Sequence, residues 1–398
     1  MYIERDEYMQ HFRPFFHRDV VKVLTGIRRC GKSVMLDLIQ DELVQEGLPR
    51  SSMLLINFES MKEPFVTNLK ETYAHIKGFA KEQGKKVYLF FDEIQELEGW
   101  EKLVNSCMID FACDIYITGS NANLLSGELA TYLGGRYVEF TIFPLSFKEV
   151  LPTLQGTKQE AFQTYLKRGG MPFLYQMAMN EESSAKYLED IFDSIIIKDI
   201  ARRENIRDIE LLRRIILFLM ANMGNTFSAR SIVAYLKSEN RTLSMETLYN
   251  YIEYGKRAFL FHSIPRYDIE GKELLKFQEK IYLTDHGFRE ALLGSARTTI
   301  NQTLENIVCL ELRRRGFTVR VGKQKTKEVD FVGSKQEKKI YVQVSYLLAS
   351  PETEEREFGV LESIQDNYPK YVLSMDPILR NRSGIVHQHI TDFLLGSW

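Results

Sequence analysis

Residues 26–33 read Gly-Ile-Arg-Arg-Cys-Gly-Lys-Ser, and this G-x-x-x-x-G-K-S pattern constrains the fold more than any other feature of the chain. The preceding residues, 21–25, form a short run rich in β-branched side chains, which is typical of a buried parallel strand. From Val34 to Leu43, apolar side chains recur at helical spacing. Strand, glycine loop and helix in this order indicate a phosphate-binding loop, so the sequence predicts an α/β domain of the P-loop NTPase type with a parallel sheet.

The loop itself predicts how a nucleotide is bound. Its backbone amides and the N-terminus of the following helix bind phosphate groups, and Gly26 and Gly31 permit the tight turn. Lys32 is expected to reach the β- and γ-phosphates, and Ser33 is expected to ligate Mg²⁺. The predicted nucleotide-binding residues of the loop are Gly26, Ile27, Arg28, Arg29, Cys30, Gly31, Lys32, Ser33 and Val34.

A second motif supplies acidic residues for the same site. An apolar run at 87–91 ends in Asp92 and Glu93. Buried carboxylates are costly without a positive partner, and a magnesium–nucleotide complex supplies one. We assign Asp92 to the metal and Glu93 to polarising the attacking water, a role worth about 10²–10⁴-fold in rate. The alternative is that both acids only cap the next helix.

Three further polar residues are candidates for sensing the γ-phosphate. A predicted strand beginning at residue 114 leads into Ser120 and Asn121, either of which is expected to hydrogen-bond the phosphate or the water. An ordinary turn explains either residue equally well. Arg136 is predicted to contact phosphate in its own or a neighbouring subunit, because a guanidinium stabilises transition-state charge. The alternative for Arg136 is an ordinary surface arginine.

Size and composition limit the remaining possibilities. A chain of 398 residues exceeds one hydrophobic core, so two or three domains are expected. The 52 basic and 54 acidic residues give a net charge of −2, and any nucleic-acid site must therefore be a local patch. The four cysteines show no pairing motif, and the chain contains no apolar run of about 18 residues. We therefore predict a cytoplasmic protein without a membrane span.

The pattern of elements along the chain predicts four parts. Further strands are expected at 52–58 and 137–142, which completes an alternation of strands and helices in the first part. The predicted parts are a P-loop ATPase domain at 1–145, a helical lid or connector at 146–200, a winged helix-turn-helix at 201–295 and an endonuclease-like domain at 296–398.

The winged-helix prediction rests on three amphipathic helices followed by two apolar strands. The third helix begins at Ser244, which is expected to cap it. In such modules this helix enters the major groove of DNA. Here it offers Ser244, Thr247, Tyr249, Asn250, Lys256 and Arg257. Because the helix is only mildly basic, the sequence leaves binding to double-stranded DNA and contact with a protein equally open.

The last hundred residues contain the predicted elements of a metal-dependent nuclease core but lack some of its catalytic residues. Glu305 lies on a predicted helix and Asp330 on a predicted strand, so the pair is a candidate Mg²⁺ site. The following strand should supply an acid and a lysine, but it carries Gln343 and Ser345. We therefore expect a retained scaffold, with an active nuclease as the minor alternative.

Together these motifs resemble a family of AAA+-type ATPases of bacteria and archaea that carry a C-terminal domain of unknown function with a restriction-endonuclease-like core. The resemblance covers nearly the whole chain and rests on residues 25–33, 91–95, 118–120, 135–136, 143–147, 169–172, 283–287, 328–331 and 342–346. It implies ATP and Mg²⁺ as cofactors and possible assembly into a ring or dimer. The expected function is ATP hydrolysis that drives conformational change coupled to DNA, with a nucleotide-gated protein switch as the alternative.

Overall fold

The computed structural model of the chain describes residues 2–62, 64–122, 133–177, 179–226, 229–238, 243–294 and 300–396. The chain forms two compact units, Met1–Ile142 with Arg257–Phe259, and Phe143–Lys256 with Leu260–Trp398. The division after residue 142 lies close to the predicted end of the first domain at residue 145. The finer boundaries predicted at residues 200 and 295 stay predictions.

A five-stranded parallel sheet lies at the centre of the first unit, in the order β2-β3-β4-β1-β5. Its strands are β1 (Val21–Thr25), β2 (Met53–Asn57), β3 (Val87–Asp92), β4 (Cys113–Gly119) and β5 (Tyr137–Thr141). The three central strands β1, β3 and β4 are buried along their whole length. Burial on both faces is why these strands read as continuous apolar runs rather than as alternating patterns.

Helices of the first unit precede and separate the strands of this sheet. They are α1 (Asp6–Phe12), α2 (Lys32–Gln45), α3 (Leu69–Gln83) and α4 (Trp100–Asp110), with 3₁₀ turns at Arg13–Phe15, Arg50–Ser52, Pro64–Thr67 and Ile94–Glu96. One buried apolar cluster joins the sheet to α3 and α4 through side chains such as Ile76, Phe91, Val104 and Ile117. The C-terminal ends of β1, β3 and β4 therefore meet on a rigid edge of the sheet.

The second unit contains a mixed seven-stranded sheet in the order β12-β11-β10-β9-β8-β6-β7. Its strands are β6 (Phe261–Asp268), β7 (Glu273–Leu283), β8 (Thr318–Gln324), β9 (Lys327–Lys335), β10 (Lys338–Val344), β11 (Lys370–Ser374) and β12 (Val386–His389). Strands β6 and β7 form the hairpin that the sequence assigned to a winged helix. This hairpin is continuous with the C-terminal strands, because β6 pairs with β8 in parallel.

Helices precede, separate and follow these strands. They are α5 (Phe147–Val150), α6 (Lys158–Arg168), α7 (Phe173–Gln176), α8 (Glu181–Ser194), α9 (Ile209–Ala221), α10 (Ala229–Ser238), α11 (Met245–Arg257), α12 (Gly287–Leu293), α13 (Ile300–Arg314), α14 (Pro351–Glu362) and α15 (Ile390–Leu394), with a 3₁₀ turn at Leu151–Thr153 and a π-helix at Ile195–Ala201. Among the helices that the structure describes, none has both the length and the apolar character needed to cross a bilayer.

Asp285 joins two glycine-containing turns of the second unit. Its Oδ2 accepts a hydrogen bond from the Gly170 amide at 2.8 Å, and its Oδ1 accepts one from the Gly287 amide at 2.7 Å. Burial raises the pKa of Asp285 to about 7, although both amides favour the charged carboxylate. The Gly170 carbonyl in turn accepts the Leu145 amide at 2.7 Å. Glycine is needed here because a Cβ on Gly170 would come within 2.2 Å of the Leu145 carbonyl oxygen.

We predict that Gly170→Ala destabilises the second unit. The added methyl group meets backbone atoms that cannot rotate away, and overpacking of this kind costs typically about 1–3 kcal/mol. The denaturant midpoint of the full chain, followed by circular dichroism, measures the loss. Gly271→Ala is the matched control, because a Cβ there meets its nearest neighbour at an ordinary 3.5 Å. Equal midpoints for the two variants would contradict the close packing at Gly170.

Candidate nucleotide site

The loop between β1 and α2 has the backbone geometry of an anion-binding nest. Gly26, Arg29 and Gly31 have positive φ angles of 149°, 67° and 104°. Such a curl turns successive N–H groups toward one side of the loop. Gly31 is the N-cap of α2 and brings no side chain to its first amides. A Cβ on Gly26 would lie 2.3 Å from the Ile142 carbonyl oxygen, so that position requires glycine.

Lys32 is buried at the start of α2 and points back over the loop. Its Nζ donates to the carbonyl oxygens of Gly26 at 3.2 Å and Ile27 at 3.3 Å, and it lies 3.4 Å from Glu93 Oε1. Burial disfavours the charged ammonium, but the charge of Glu93 and the other negative neighbours outweighs burial and raises the pKa of Lys32. Lys32 therefore carries a full positive charge at neutral pH, held within the loop.

The carboxylate of Asp92, at the end of β3, accepts hydrogen bonds from three different segments. Its Oδ1 accepts from Thr118 Oγ1 at 2.7 Å and from Ser33 Oγ at 3.1 Å, and its Oδ2 accepts from Asn57 Nδ2 at 2.9 Å. Burial raises the pKa of Asp92, while the hydrogen bonds from Thr118 and Ser33 oppose that rise. The predicted pair of metal ligands, Ser33 and Asp92, is thus brought into direct contact.

Glu93 follows Asp92 in a left-handed conformation with φ at 51°. Its amide donates to Thr118 Oγ1 at 2.8 Å, which fixes this unusual backbone. Burial acts to raise the pKa of Glu93, but the Lys32 charge and a 2.5 Å hydrogen bond from Gln95 outweigh it and lower the pKa. Glu93 is therefore ionised and faces the loop.

Ser120 and Asn121 lie beside the loop, as the sequence predicted for a γ-phosphate contact. Gly119 at the end of β4 pairs with Thr25 at the end of β1, so Ser120 stands next to Gly26. Both polar side chains are buried. The Ser120 hydroxyl finds no hydrogen-bond partner among the described residues. A buried hydroxyl at this place fits a site that receives a polar ligand.

The position of Arg136 in the sheet keeps its side chain away from the phosphate loop of its own chain. Arg136 lies at the start of β5, and its carbonyl accepts the Val21 amide at the start of β1. Five strand residues, roughly 16 Å at about 3.3 Å each, separate it from the loop. An arginine side chain does not span that distance, so a phosphate contact by Arg136 across a subunit interface is the version that stays a prediction. The thiol of Cys30 is buried, and burial raises its pKa.

The side chains that hold the two acids were not predicted from the sequence. Asn57 is the last residue of β2, Thr118 lies near the end of β4, and both strands flank β3. Gln95 was not recognised as a partner of Glu93. The sequence did contain a signal for Asn57 and Thr118, because each is a polar residue near the C-terminal end of an apolar run. Interpreting that signal would have required the order of the strands in the sheet.

The site fits a triphosphate with a divalent ion. The nest, the uncapped start of α2 and the Lys32 ammonium suit phosphate oxygens, and the hydroxyl and carboxylate of Ser33 and Asp92 are hard oxygen ligands of the kind that Mg²⁺ prefers.

Comparison with known proteins assigns this part of the chain. The family described as "AAA domain" matches residues 18–151, and a domain of unknown function (DUF8612) matches residues 159–299. An uncharacterized protein of Haemophilus influenzae is 40% identical over 377 residues, which cover 94% of this chain and 93% of that protein. An uncharacterized protein of Methanocaldococcus jannaschii is 32% identical over 361 residues, which cover 86% and 78%.

The chain belongs to one family with these two proteins, and its first domain is an AAA domain. Among solved structures, the Aeropyrum pernix ORC1 protein in complex with DNA is similar at 13% identity and a TM-score of 0.32, covering 72% of this chain and 91% of that chain. Cdc6p from Pyrobaculum aerophilum is similar at 9% identity and a TM-score of 0.31, covering 76% and 92%.

Outside the AAA domain, a buried lysine lies near the predicted acidic pair, Glu305 on α13 and Asp330 on β9. Lys280 on β7 is buried, with Nζ 2.7 Å from Glu328 Oε1 and 3.7 Å from Glu305 Oε2. Burial disfavours its charge, but Glu305, Asp330 and Glu328 together raise the pKa of Lys280. Gln343 accepts the Asp330 amide at 2.6 Å.

The Lys280 ammonium supplies the positive charge that a metal ion would otherwise bring to these buried acids. Burial raises the pKa of Asp330, and the charge of Glu305 raises it further. Across the described ranges, no three His, Cys, Asp or Glu side chains are arranged to hold a metal ion. The nuclease-core position on β10 that should carry a lysine does not, and Lys280 of β7 supplies the positive charge instead. Lys280 thus acts as an internal counter-ion for the buried acids.

We predict that Lys280→Met destabilises the second unit by about 3–5 kcal/mol, because it leaves buried carboxyl groups without a counter-ion. Urea unfolding at pH 7.5 measures this loss, which should shrink at lower pH as the acids become protonated. Lys338→Met, an exposed lysine of the same sheet, should change stability by no more than about 0.5 kcal/mol. A Lys280→Met protein as stable as the wild type would show that the acids need no cation.

Proposed function

We propose that the chain is a Mg²⁺-dependent ATPase whose hydrolysis drives conformational change in the residues that follow the AAA domain. Membership of the AAA domain supports nucleotide binding and hydrolysis. The observation that carries the proposal is the contact between Ser33 and Asp92 at 3.1 Å, next to the ion pair of Lys32 and Glu93 at 3.4 Å. These four groups are the phosphate, metal and water ligands that the reaction needs, gathered at one loop.

Each of these residues has a distinct role. Lys32 and the loop amides bind the phosphates, and Ser33 with Asp92 would hold Mg²⁺, which neutralises charge between the β- and γ-phosphates when bound. Glu93 is ionised and accepts a proton from the attacking water. We assign Ser120 and Asn121 to hydrogen bonds with the γ-phosphate. We assign Arg136 to a phosphate contact in the nucleotide site of a neighbouring copy of the chain. ATP turnover would then depend on assembly into a homo-oligomer.

We predict that Glu93→Gln retains ATP binding but lowers kcat by at least about 10²-fold, because the amide cannot accept the proton. Lys32→Ala should abolish binding of a non-hydrolysable ATP analogue in calorimetry. Glu82→Gln, an exposed glutamate of α3, is the matched control and should leave both values unchanged. An unchanged kcat in Glu93→Gln would move the general base elsewhere, and undiminished affinity in Lys32→Ala would refute the site.

Coupling to double-stranded DNA is the second part of the proposal. Helices α9, α10 and α11 precede the β6–β7 hairpin, in the order of a winged helix-turn-helix. Ser244 caps α11 as predicted, with its Oγ accepting the Thr247 amide at 3.0 Å. Tyr249 and Asn250 are exposed on this helix and are the candidate DNA contacts.

One observation favours the alternative, a nucleotide-gated switch that contacts a protein. Lys256 lies 3.5 Å from Glu279 and 3.9 Å from Glu253. Glu246 and Glu253 are also exposed on α11. Acidic partners reduce the positive charge that this helix can offer to DNA phosphates, and phosphate charge supplies most of the affinity of a DNA-binding protein.

We predict that duplex DNA binds at low salt and raises ATP turnover. The double variant Lys256→Ala/Arg257→Ala should reduce the slope of log affinity against log salt concentration by about two. Fluorescence anisotropy across a salt series and turnover with and without duplex measure these effects. Lys338→Met serves as the control for loss of one exposed charge. If the wild type binds no DNA at low salt, the coupling to DNA is wrong and the protein switch is the surviving reading.

A further inference from the structure

Arg28, the third residue of the phosphate loop, pairs its guanidinium with an acidic side chain that follows β2. Its side chain is largely buried, with 14% exposed, and Nη2 lies 3.2 Å from Glu59 Oε1. The charge of Arg28 is also one of the causes that lower the pKa of Glu93. The side chain is therefore near the residue that accepts the water proton, whereas the loop pattern alone uses only the Arg28 backbone.

Glu59 is tied to the acidic side of the site through its backbone. Its amide donates to Asn57 Oδ1 at 2.9 Å, and Asn57 Nδ2 donates to Asp92 Oδ2 at 2.9 Å. The Glu59 side chain itself remains 43% exposed. Because water reaches the Glu59 carboxylate and screens this ion pair, exchanging Glu59 for another anion changes an equilibrium by no more than about 5-fold.

We propose that Arg28 is a catalytic arginine supplied by the phosphate loop of the same chain, and that Glu59 competes with the γ-phosphate for its guanidinium. This inference rests on the proposed ATPase function. Arg28 suits the role because a planar guanidinium binds two phosphate oxygens at once. Arg136 lies at the other end of β1 and does not reach the loop of its own chain.

The chemistry assigned to Arg28 is stabilisation of charge during hydrolysis. The water oxygen bonds to the γ-phosphorus while the bond from phosphorus to the β–γ bridging oxygen breaks. ADP leaves with that electron pair, and Glu93 takes the proton of the water. Arg28 meets the negative charge on the transferred phosphoryl oxygens, the position at which arginine fingers contribute about 10³–10⁵-fold in other nucleotide hydrolases.

Four variants of the full chain test the inference: Arg28→Gln, Arg28→Lys, Glu59→Gln and the double variant Arg28→Gln/Glu59→Gln. Steady-state turnover gives kcat and KM, and calorimetry with a non-hydrolysable ATP analogue gives affinity. Arg28→Gln should lower kcat by at least about 10²-fold with less than about 10-fold loss of affinity. Arg28→Lys keeps the charge without the fork and should recover only part of the rate.

Glu59→Gln should tighten binding of the analogue by about 2- to 5-fold, because the competing anion is removed. That gain should vanish in the double variant, since it acts only through Arg28. Arg50→Gln is the matched control: this exposed arginine pairs with Asp41 at 3.1 Å, and its loss should change neither kcat nor affinity. Circular dichroism and thermal midpoints confirm that each variant is folded.

The outcomes separate this inference from the ATPase proposal. If the wild type binds the analogue but hydrolyses no ATP, the ATPase proposal fails. If the wild type turns over and Arg28→Gln is within about 3-fold of it, only the role of Arg28 is overturned. If Arg28→Gln loses binding as completely as Lys32→Ala, Arg28 is a binding residue and not a catalytic one. A gain from Glu59→Gln that persists in the double variant would overturn the competition.

Discussion

The buried carboxylate of Asp92 is the contact on which the site depends, because it accepts hydrogen bonds from Asn57, Thr118 and Ser33. These partners come from the ends of β2 and β4 and from the start of α2. A single charged group therefore fixes the relative positions of three segments. Burial acts against that charge and raises the pKa of Asp92, whereas the hydrogen bonds from Thr118 and Ser33 and the charge of Lys32 favour the ionised carboxylate.

For the first unit, the sequence predicted the elements but not their neighbours. The five apolar runs matched each strand within one or two residues, and the three central strands are apolar throughout because both of their faces are covered. Strand order is a property of the folded sheet, and it alone places Asn57 and Thr118 on either side of Asp92. Arg136 shows the same limit, since its position in the motif gave no sign that it lies at the far end of β1.

For the second unit, sequence reasoning failed where pairing is non-local. The strands β8, β11 and β12 were not predicted, and β12 is only four residues long. The acids at 305 and 330 were recognised as a pair, but Lys280 lies far from them in sequence and reaches them only because β6 pairs with β8. The candidate pair of acids at 305 and 330 thus lies near a buried lysine that the sequence did not connect with them.

The pairing of β6 with β8 also changes how the chain can be divided. The match to the domain of unknown function ends at residue 299, but β8 to β12, which continue the sheet from β6, all lie beyond it. A fragment that stopped there would present β6 with an open edge of unpaired amides and carbonyls, the kind of surface that promotes aggregation. The β6–β7 hairpin also cannot move independently of the sheet, because force applied to it passes through β6 into the five other hydrogen-bonded strands.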